Sequence, residues 1–265
     1  KKPNPDLKTY DAYLQQQVTE LVTKYGPLVT LWFDVPQVYG ADLGIPMVRK
    51  LRALQPDIVI NNRAYSKGGR QSGIHDQLPV GDFDTPEQRV GGYQDGRPWE
   101  TGMTICRQWA WKPDDKMKSL DECIRTLVTC AGGNGNLLFN VGPMPDGRIE
   151  PRQVGRLREM GEWLAKNGEG IYGTRGWPVK PGPGFVTTRR GNTIYLHAFG
   201  HAAGEILLPK LPRKVVSAEI LGGGAVELRE TPESWSIALP AALRQPIDTI
   251  VKITLDGSAM DLGVV

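Results

Sequence analysis

Apolar residues at Leu7, Tyr10, Leu14, Val18, Leu21, Val22 and Tyr25 recur with the spacing of one helix face. Glu20 and Lys24 add an i,i+4 pair to it, and Gly26-Pro27 stops it. The run LVTLWF, residues 28–33, is apolar on both faces, which predicts a short buried strand of a helix-covered parallel sheet. A second helical pattern runs from Leu43 to Leu54, and DIVINN, residues 57–62, is a second strand ending in polar residues. TGMTIC, residues 101–106, is a third strand, followed by a helix marked by Met117, Leu120, Ile124, Leu127 and Ala131. GGNGNLLFNVGP then supplies a turn, a strand at 136–141 and an abrupt stop, and Val154, Leu157, Met160 and Leu164 mark a last helix. Strands alternating with helices predict an α/β architecture.

The pattern changes after the Pro/Gly-rich stretch GWPVKPGPG. NTIYLHAF, EILLP, SAEIL, AVELRE, SWSIAL and TIVKITL are short alternating runs between Gly and Pro, the pattern of antiparallel sheet and of a small sandwich. The predicted division is residues 1–175, α/β, and residues 176–265, all-β. The α/β portion has about four strands, too few for a closed eight-stranded barrel; an open sheet and an incomplete barrel both fit.

Composition narrows this little. The 265 residues are 40% apolar and 23% charged, ordinary for a globular protein. The net charge of +3 comes without a Lys/Arg block, so no nucleic-acid partner is expected, and Arg189-Arg190 reads as part of a turn. No apolar run approaches the ~18 residues of a membrane span. The opening KKPNPDLKTYDAY has no Met and no apolar core and reads as a cut or processed beginning. A periplasmic or secreted location is expected, with cytoplasmic as the alternative. Cys106, Cys123 and Cys130 make no disulfide scaffold and read as small buried apolar residues. His75, His197 and His201 are too scattered for a zinc site, so neither metal nor cofactor is expected.

The chemistry lies in carboxylates. Active sites of α/β proteins form at the C-terminal ends of strands, where Asp34, Asn61, Asn62 and Asn140 stand. The polar stretch 64–98 is unusually long for a loop and offers Asp82, Asp84 and Glu87, while Glu100 follows Trp99 just before a strand. Two acids at one rim can serve as nucleophile and general acid/base. Trp32, Trp99, Trp109 and Trp111 can wall the apolar face of a sugar. Asp34 could instead cap the turn that follows it.

LWFD, INNR, GDFDTPEQ, WETGMT, GNGNLLFNVGPMPDGRI and WLAKNGEGIYGTR, in this order, resemble the α-L-fucosidase family of retaining glycoside hydrolases, family 29. The match covers about residues 7–180, and the C-terminal β region is similar in kind to the one these enzymes carry. The resemblance implies a partial (β/α)8-like barrel followed by a small antiparallel β-sandwich, and hydrolysis of terminal α-L-fucosyl residues on a fucosylated glycan or glycoside. It implies Asp34 as the nucleophile, Glu87 of the TPE motif as first choice for acid/base and Glu100 of the WE motif as second. Trp109 resembles the Trp lining the fucose pocket, and Arg63 of NNR either pairs with an acid or meets substrate. Trp32 is expected to wall the site, and His75 is a further substrate contact. MPDG reads as a tight turn.

Two departures stand out. The family's early barrel strands carry sugar-binding histidines far upstream of the nucleophile, and here Asp34 comes almost at the start. A second chain or segment is therefore expected to supply the N-terminal half of the barrel. In addition, Val35 and Pro36 stand where the family usually has Gly after the Asp. The alternatives are a related retaining glycosidase for a similar sugar such as a β-D-galactoside, and a carbohydrate-binding or inactive fragment.

Overall fold

In the computed structural model the described residues are 6–66, 81–176, 184–200 and 204–263, and they form a mixed α/β fold. The chain divides into two compact units. One holds the described residues up to Pro86 with Arg97–Glu100; the other holds Glu87–Gly96 and the described residues from Thr101 onward.

In the first unit, α1 (Leu7–Lys24) starts at Asp6, whose carboxylate accepts from the Lys8 backbone N–H and the Thr9 hydroxyl, a standard N-cap. Val18 and Val22 pack against Met47, Val48 and Leu51 of α2 (Ala41–Leu54) and against Ile58 and Ile60. β1 (Thr30–Leu31) pairs in parallel with β2 (Val59–Ile60). Parallel bridges Asn61–Phe83 and Asp84–Trp99 carry the series on. The Gln55 side chain ties the pieces together, donating to Val22 O and Gly26 O and accepting from Leu28 N.

The expectation that LVTLWF is buried on both faces is corrected here. Val29 is 83% exposed, and Leu31, Trp32 and Phe33 are half-buried. Leu28, Leu31 and Phe33 pack on the core formed with α1 and α2, while Val29 and Thr30 stay exposed.

In the second unit lies most of β3 (Glu100–Thr104), which pairs with β4 (Asn136–Asn140). α3 (Leu120–Gly132) opens on a full capping box, Ser119 with Glu122; α4 (Pro151–Asn167) opens on Pro at N1. A 3₁₀ turn at Gly168–Gly170 leads to β5 (Arg175–Gly176), β6 (Phe185–Arg190), β7 (Thr193–Phe199), β8 (Glu205–Pro209), β9 (Val215–Ile220), β10 (Leu228–Glu230), β11 (Ser234–Ala238) and β12 (Asp248–Leu255). They make two antiparallel sheets, β5-β6-β7-β12-β9 and β10-β11-β8.

The two sheets share one core, with Leu196, Val251 and Ile253 from the first and Leu208, Trp235 and Ile237 from the second. Alternation along the strands sends the other face of the larger sheet toward the helices: Val186 and Phe199 join Cys123, Ile124, Val128 and Met160 in a second core. Arg189 and Arg190 end strand β6 rather than forming the turn, which Gly191 makes at φ +57°. Arg189 donates to Ala259 O and Leu262 O and so holds the chain end against the sheet.

Candidate active site

Asp34, Trp32, Arg63 and Glu100 all fall in the first unit. Their placement follows from the sheet register. Thr30 pairs with Val59 and Leu31 with Ile60, so the residues after β1 and after β2 emerge side by side. The Asn61 amide locks them, accepting from Phe33 N at 2.9 Å and donating to Phe33 O at 2.8 Å. Asn61, expected at the site for its polarity, is fully buried and acts here as a backbone clamp.

Arg63 is the centre of the arrangement. Its Nη1 donates to Asp34 Oδ1 at 2.8 Å, its Nε to Thr85 Oγ1 at 2.7 Å and its Nη2 to Thr85 O at 2.7 Å. Its guanidinium carbon lies 4.8 Å from the centre of the Trp32 ring, a cation–π distance. The Thr85 hydroxyl donates in turn to Asn62 Oδ1 at 2.8 Å. The guanidinium side chain is 4% exposed while that of Asp34 is 50% exposed, so a fixed cation holds an accessible carboxylate. Oδ1 of Asp34 also accepts from the Val35 backbone N–H at 2.8 Å. Both donors orient the carboxylate.

Glu100 is half-buried, and burial raises its pKa above the ordinary glutamate value. The Trp32 indole N–H lies near enough to lower it slightly but makes no well-formed hydrogen bond. Trp32 thus stacks on Arg63 and neighbours Glu100. A carboxyl whose pKa is raised by burial is suited to general acid/base chemistry.

The other acids of the 64–98 stretch have structural partners. Asp82 takes Arg52 at 2.7 Å and the Ile60 N–H at 2.7 Å. Asp84, almost wholly buried, takes Arg97 at 2.9 Å and Asn62 at 3.1 Å. Glu87 belongs to the second unit, where it bridges to Gly102. Trp109 is in that unit too, half-exposed, its backbone carbonyl accepting from Asn140 Nδ2 at 2.9 Å. His75 lies outside the described residues. Trp99 is buried core rather than sugar wall. Thr85, missed in the sequence, sits in the TPE motif; its signal was a hydroxyl one residue after a buried Asp.

Among the described residues no helix is long and apolar enough to cross a membrane, and no His, Cys, Asp and Glu cluster could hold a metal ion. The three cysteines are buried and unpaired, and desolvation pushes the thiols of Cys123 and Cys130 up to about 11 and about 12.

The family profile described as Alpha-L-fucosidase matches residues 1–169. Plasma alpha-L-fucosidase of Pongo abelii is 28% identical over 231 residues, 78% of this chain and 47% of that protein. The structure of alpha-L-fucosidase isoenzyme 1 from Paenibacillus thiaminolyticus superposes with a TM-score of 0.81 at 31% identity, covering 97% of this chain and 64% of the other. The Thermotoga maritima alpha-fucosidase in complex with fucose gives 0.69 at 27% identity, covering 93% and 56%. The chain spans about half the length of the curated plasma enzyme it matches.

Proposed function

Because the chain belongs to the alpha-L-fucosidase family, we propose that it carries the acid pair of a retaining exo-glycosidase that hydrolyses terminal α-L-fucosyl residues. The observation that carries the reading is Asp34, half-exposed and fixed by the buried Arg63. In this mechanism Asp34 attacks the anomeric carbon while a protonated carboxyl delivers its proton to the departing glycosidic oxygen. Water, deprotonated by the same second group, then releases the sugar with retained configuration.

Glu87 is the first expectation for that second group on sequence. The raised pKa of Glu100 and its nearness to Trp32, which stacks on the Arg63 that holds Asp34, support Glu100 in the role. Arg63 then acts as a positioning residue and Trp32 as a wall, with Trp109 and His75 kept as substrate contacts. The reading includes residues 1–175 as part of a (β/α)8-like barrel and 176–265 as a β-sandwich, with the remaining strands of the barrel supplied by another segment or chain.

The test uses the enzyme with its whole barrel and an aryl α-L-fucoside. The first sugar product should be the α-anomer, and Asp34→Gly should lose turnover and regain it with azide as a β-fucosyl azide. A β-anomer as first product sinks the retaining mechanism, and faster cleavage of an aryl β-D-galactoside would transfer the site to that sugar. With a good leaving group, Glu100→Ala should keep the first step, lose the second, and yield an α-linked azide. The same behaviour from Glu87→Ala alone would return the role to Glu87.

A further inference from the structure

A series of hydrogen bonds runs from Arg97 to Asp34, all within the first unit. Arg97 Nε donates to Asp84 Oδ1 at 2.9 Å, and Asn62 Nδ2 donates to the same oxygen at 3.1 Å. The Thr85 hydroxyl donates to Asn62 Oδ1 at 2.8 Å. Arg63 Nε donates to that hydroxyl at 2.7 Å, and Arg63 Nη1 donates to Asp34 Oδ1 at 2.8 Å. The middle of the series is sealed from water. The side chains of Asp84 and Arg63 are 1% and 4% exposed, and Asn62 and Thr85 are buried. Its two ends open to solvent, a quarter of the Arg97 side chain and half of that of Asp34.

The chemistry of each group fixes the sense of the series. As the carboxylate of an ion pair with Arg97, Asp84 only accepts. The Asn62 amide therefore turns its NH2 to Asp84 and its oxygen to Thr85. That oxygen takes the single hydroxyl proton of Thr85. The hydroxyl is left facing Arg63 as an acceptor, which suits a guanidinium that only donates. Thr85 O takes Arg63 Nη2 at 2.7 Å. Thr85 thus grips Nε and Nη2 and leaves Nη1 aimed at Asp34.

We propose that Asp84 and Thr85 are positioning residues for Asp34, acting through Asn62 and Arg63 to set the orientation in which the carboxylate attacks. The proposal rests on the reading of Asp34 as nucleophile. Both residues are too buried to touch substrate. A break inside the series removes a bond that water is poorly placed to replace, and the Arg63 guanidinium gains freedom to turn. A small displacement of a reacting group then costs rate.

The test joins kinetics on an aryl α-L-fucoside, in the enzyme with its whole barrel, to the ¹H–¹⁵N signal of Arg63 Nε in the full chain. Thr85→Val keeps the side-chain shape and the backbone carbonyl and removes the hydroxyl. It should lower kcat about tenfold with KM within about twofold of wild type. The Arg63 Nε proton should exchange with solvent about tenfold faster. Thr85→Ser should recover most of both losses. Asp84→Asn has the same shape, but its amide can donate as well as accept, so kcat should fall in the same direction; where it fails to fold, Thr85→Val carries the test. Wild-type kcat in Thr85→Val beside an inactive Asp34→Gly overturns the proposal. So do equal losses in Thr85→Ser and Thr85→Val, a loss confined to KM, or unchanged exchange at Arg63. An active Asp34→Gly enzyme sinks the acid-pair reading instead, and the Arg63 signal then decides alone whether Thr85 holds the guanidinium.

Discussion

Two close acid–base pairs, Arg63–Asp34 in the first unit and His197–Asp248 in the second, are built in opposite ways. In the second unit His197 and Asp248 are both fully buried, 2.7 Å apart. His197 Nε2 lies 3.3 Å from both Thr188 Oγ1 and Gly170 O, and the Thr188 hydroxyl donates to Gly170 O at 2.6 Å. A Cβ at Gly170 would stand 3.1 Å from the His197 ring, so the ring would have to give slightly to admit a side chain. That pair fastens the turn after α4 onto the sheet. In the first unit only the cation is buried, and the carboxylate it holds opens to solvent. Sealing both partners yields an anchor; sealing one and exposing the other yields a preorganised reactive group.

The largest separation between the two designs should come from Asp34→Ala. In the enzyme with its whole barrel it should cut kcat on an aryl fucoside on the order of 10³-fold or more, with a moderate fall in Tm, because the buried Arg63 loses its counter-charge while it keeps both Thr85 acceptors. An active Asp34→Ala enzyme would remove the distinction. Trp235→Ala is the opposite case. Trp235 is fully buried between the two sheets, and its loss should cost about 3–5 kcal/mol, read as a lower denaturant midpoint.

Arg63→Met should fall between them. It leaves Asp34 without its cation and Thr85 without two donors, for a loss of roughly 2–3 kcal/mol, below the value for a fully buried pair because Asp34 is half in water. Arg63→Lys should recover only part of this, since an ammonium cannot fork between Asp34 and Thr85. Equal stability for Arg63→Met and wild type would mean that the guanidinium is not a structural hub.

Glu100 gives a smaller, pH-dependent effect. Its folded-state pKa is raised, chiefly by burial, so the folded protein holds this proton more tightly than the unfolded chain. The stability so gained is complete below the ordinary glutamate pKa and is lost as pH rises through the raised value. Glu100→Gln should therefore flatten the fall in Tm across that window and raise Tm at neutral pH by about 1–2 °C, a small figure because the carboxyl is half in solvent. The kcat/KM of the wild type should also fall on the alkaline side as Glu100 loses its proton. A steeper fall of Tm with pH in the variant would reverse the assigned sign.

Much of the first unit was legible because its elements are locally written. The spacing from Leu7 to Tyr25 and the DIVINN run set α1 and β2 to within a few residues. The antiparallel runs after residue 176 are legible for the same reason, period-two alternation, although Arg189-Arg190 reads as part of a turn and instead ends β6. What the chain could not show was which acids had partners. Asp82, Asp84 and Glu100 look alike in sequence, but Arg52, Arg97 and Asn62 reach the first two from distant positions, and only burial distinguishes the third. The exposure of β1 was illegible for a related reason, since burial depends on neighbours that a strand's own residues do not specify.

Val35 gives the smallest effect and the sharpest check on how the open pair is held. It has φ +53°, left-handed backbone that costs a β-branched residue about 1–2 kcal/mol, and Pro36 after it narrows its choices further. The resembling family usually has glycine here. The strain sits where the Val35 N–H meets Asp34 Oδ1, so the turn aims the carboxylate. Val35→Gly should release the strain and lose part of the gain, about 0.5–1 kcal/mol, to the greater freedom of glycine in the unfolded chain. The net result should be a Tm rise of about 0–3 °C. If the turn serves to aim Asp34, the same variant should keep KM and change kcat, because glycine leaves the hydrogen bond possible but less fixed. A fall in Tm would mean that the valine side chain, although exposed, stabilises this turn by contacts that outweigh its backbone strain.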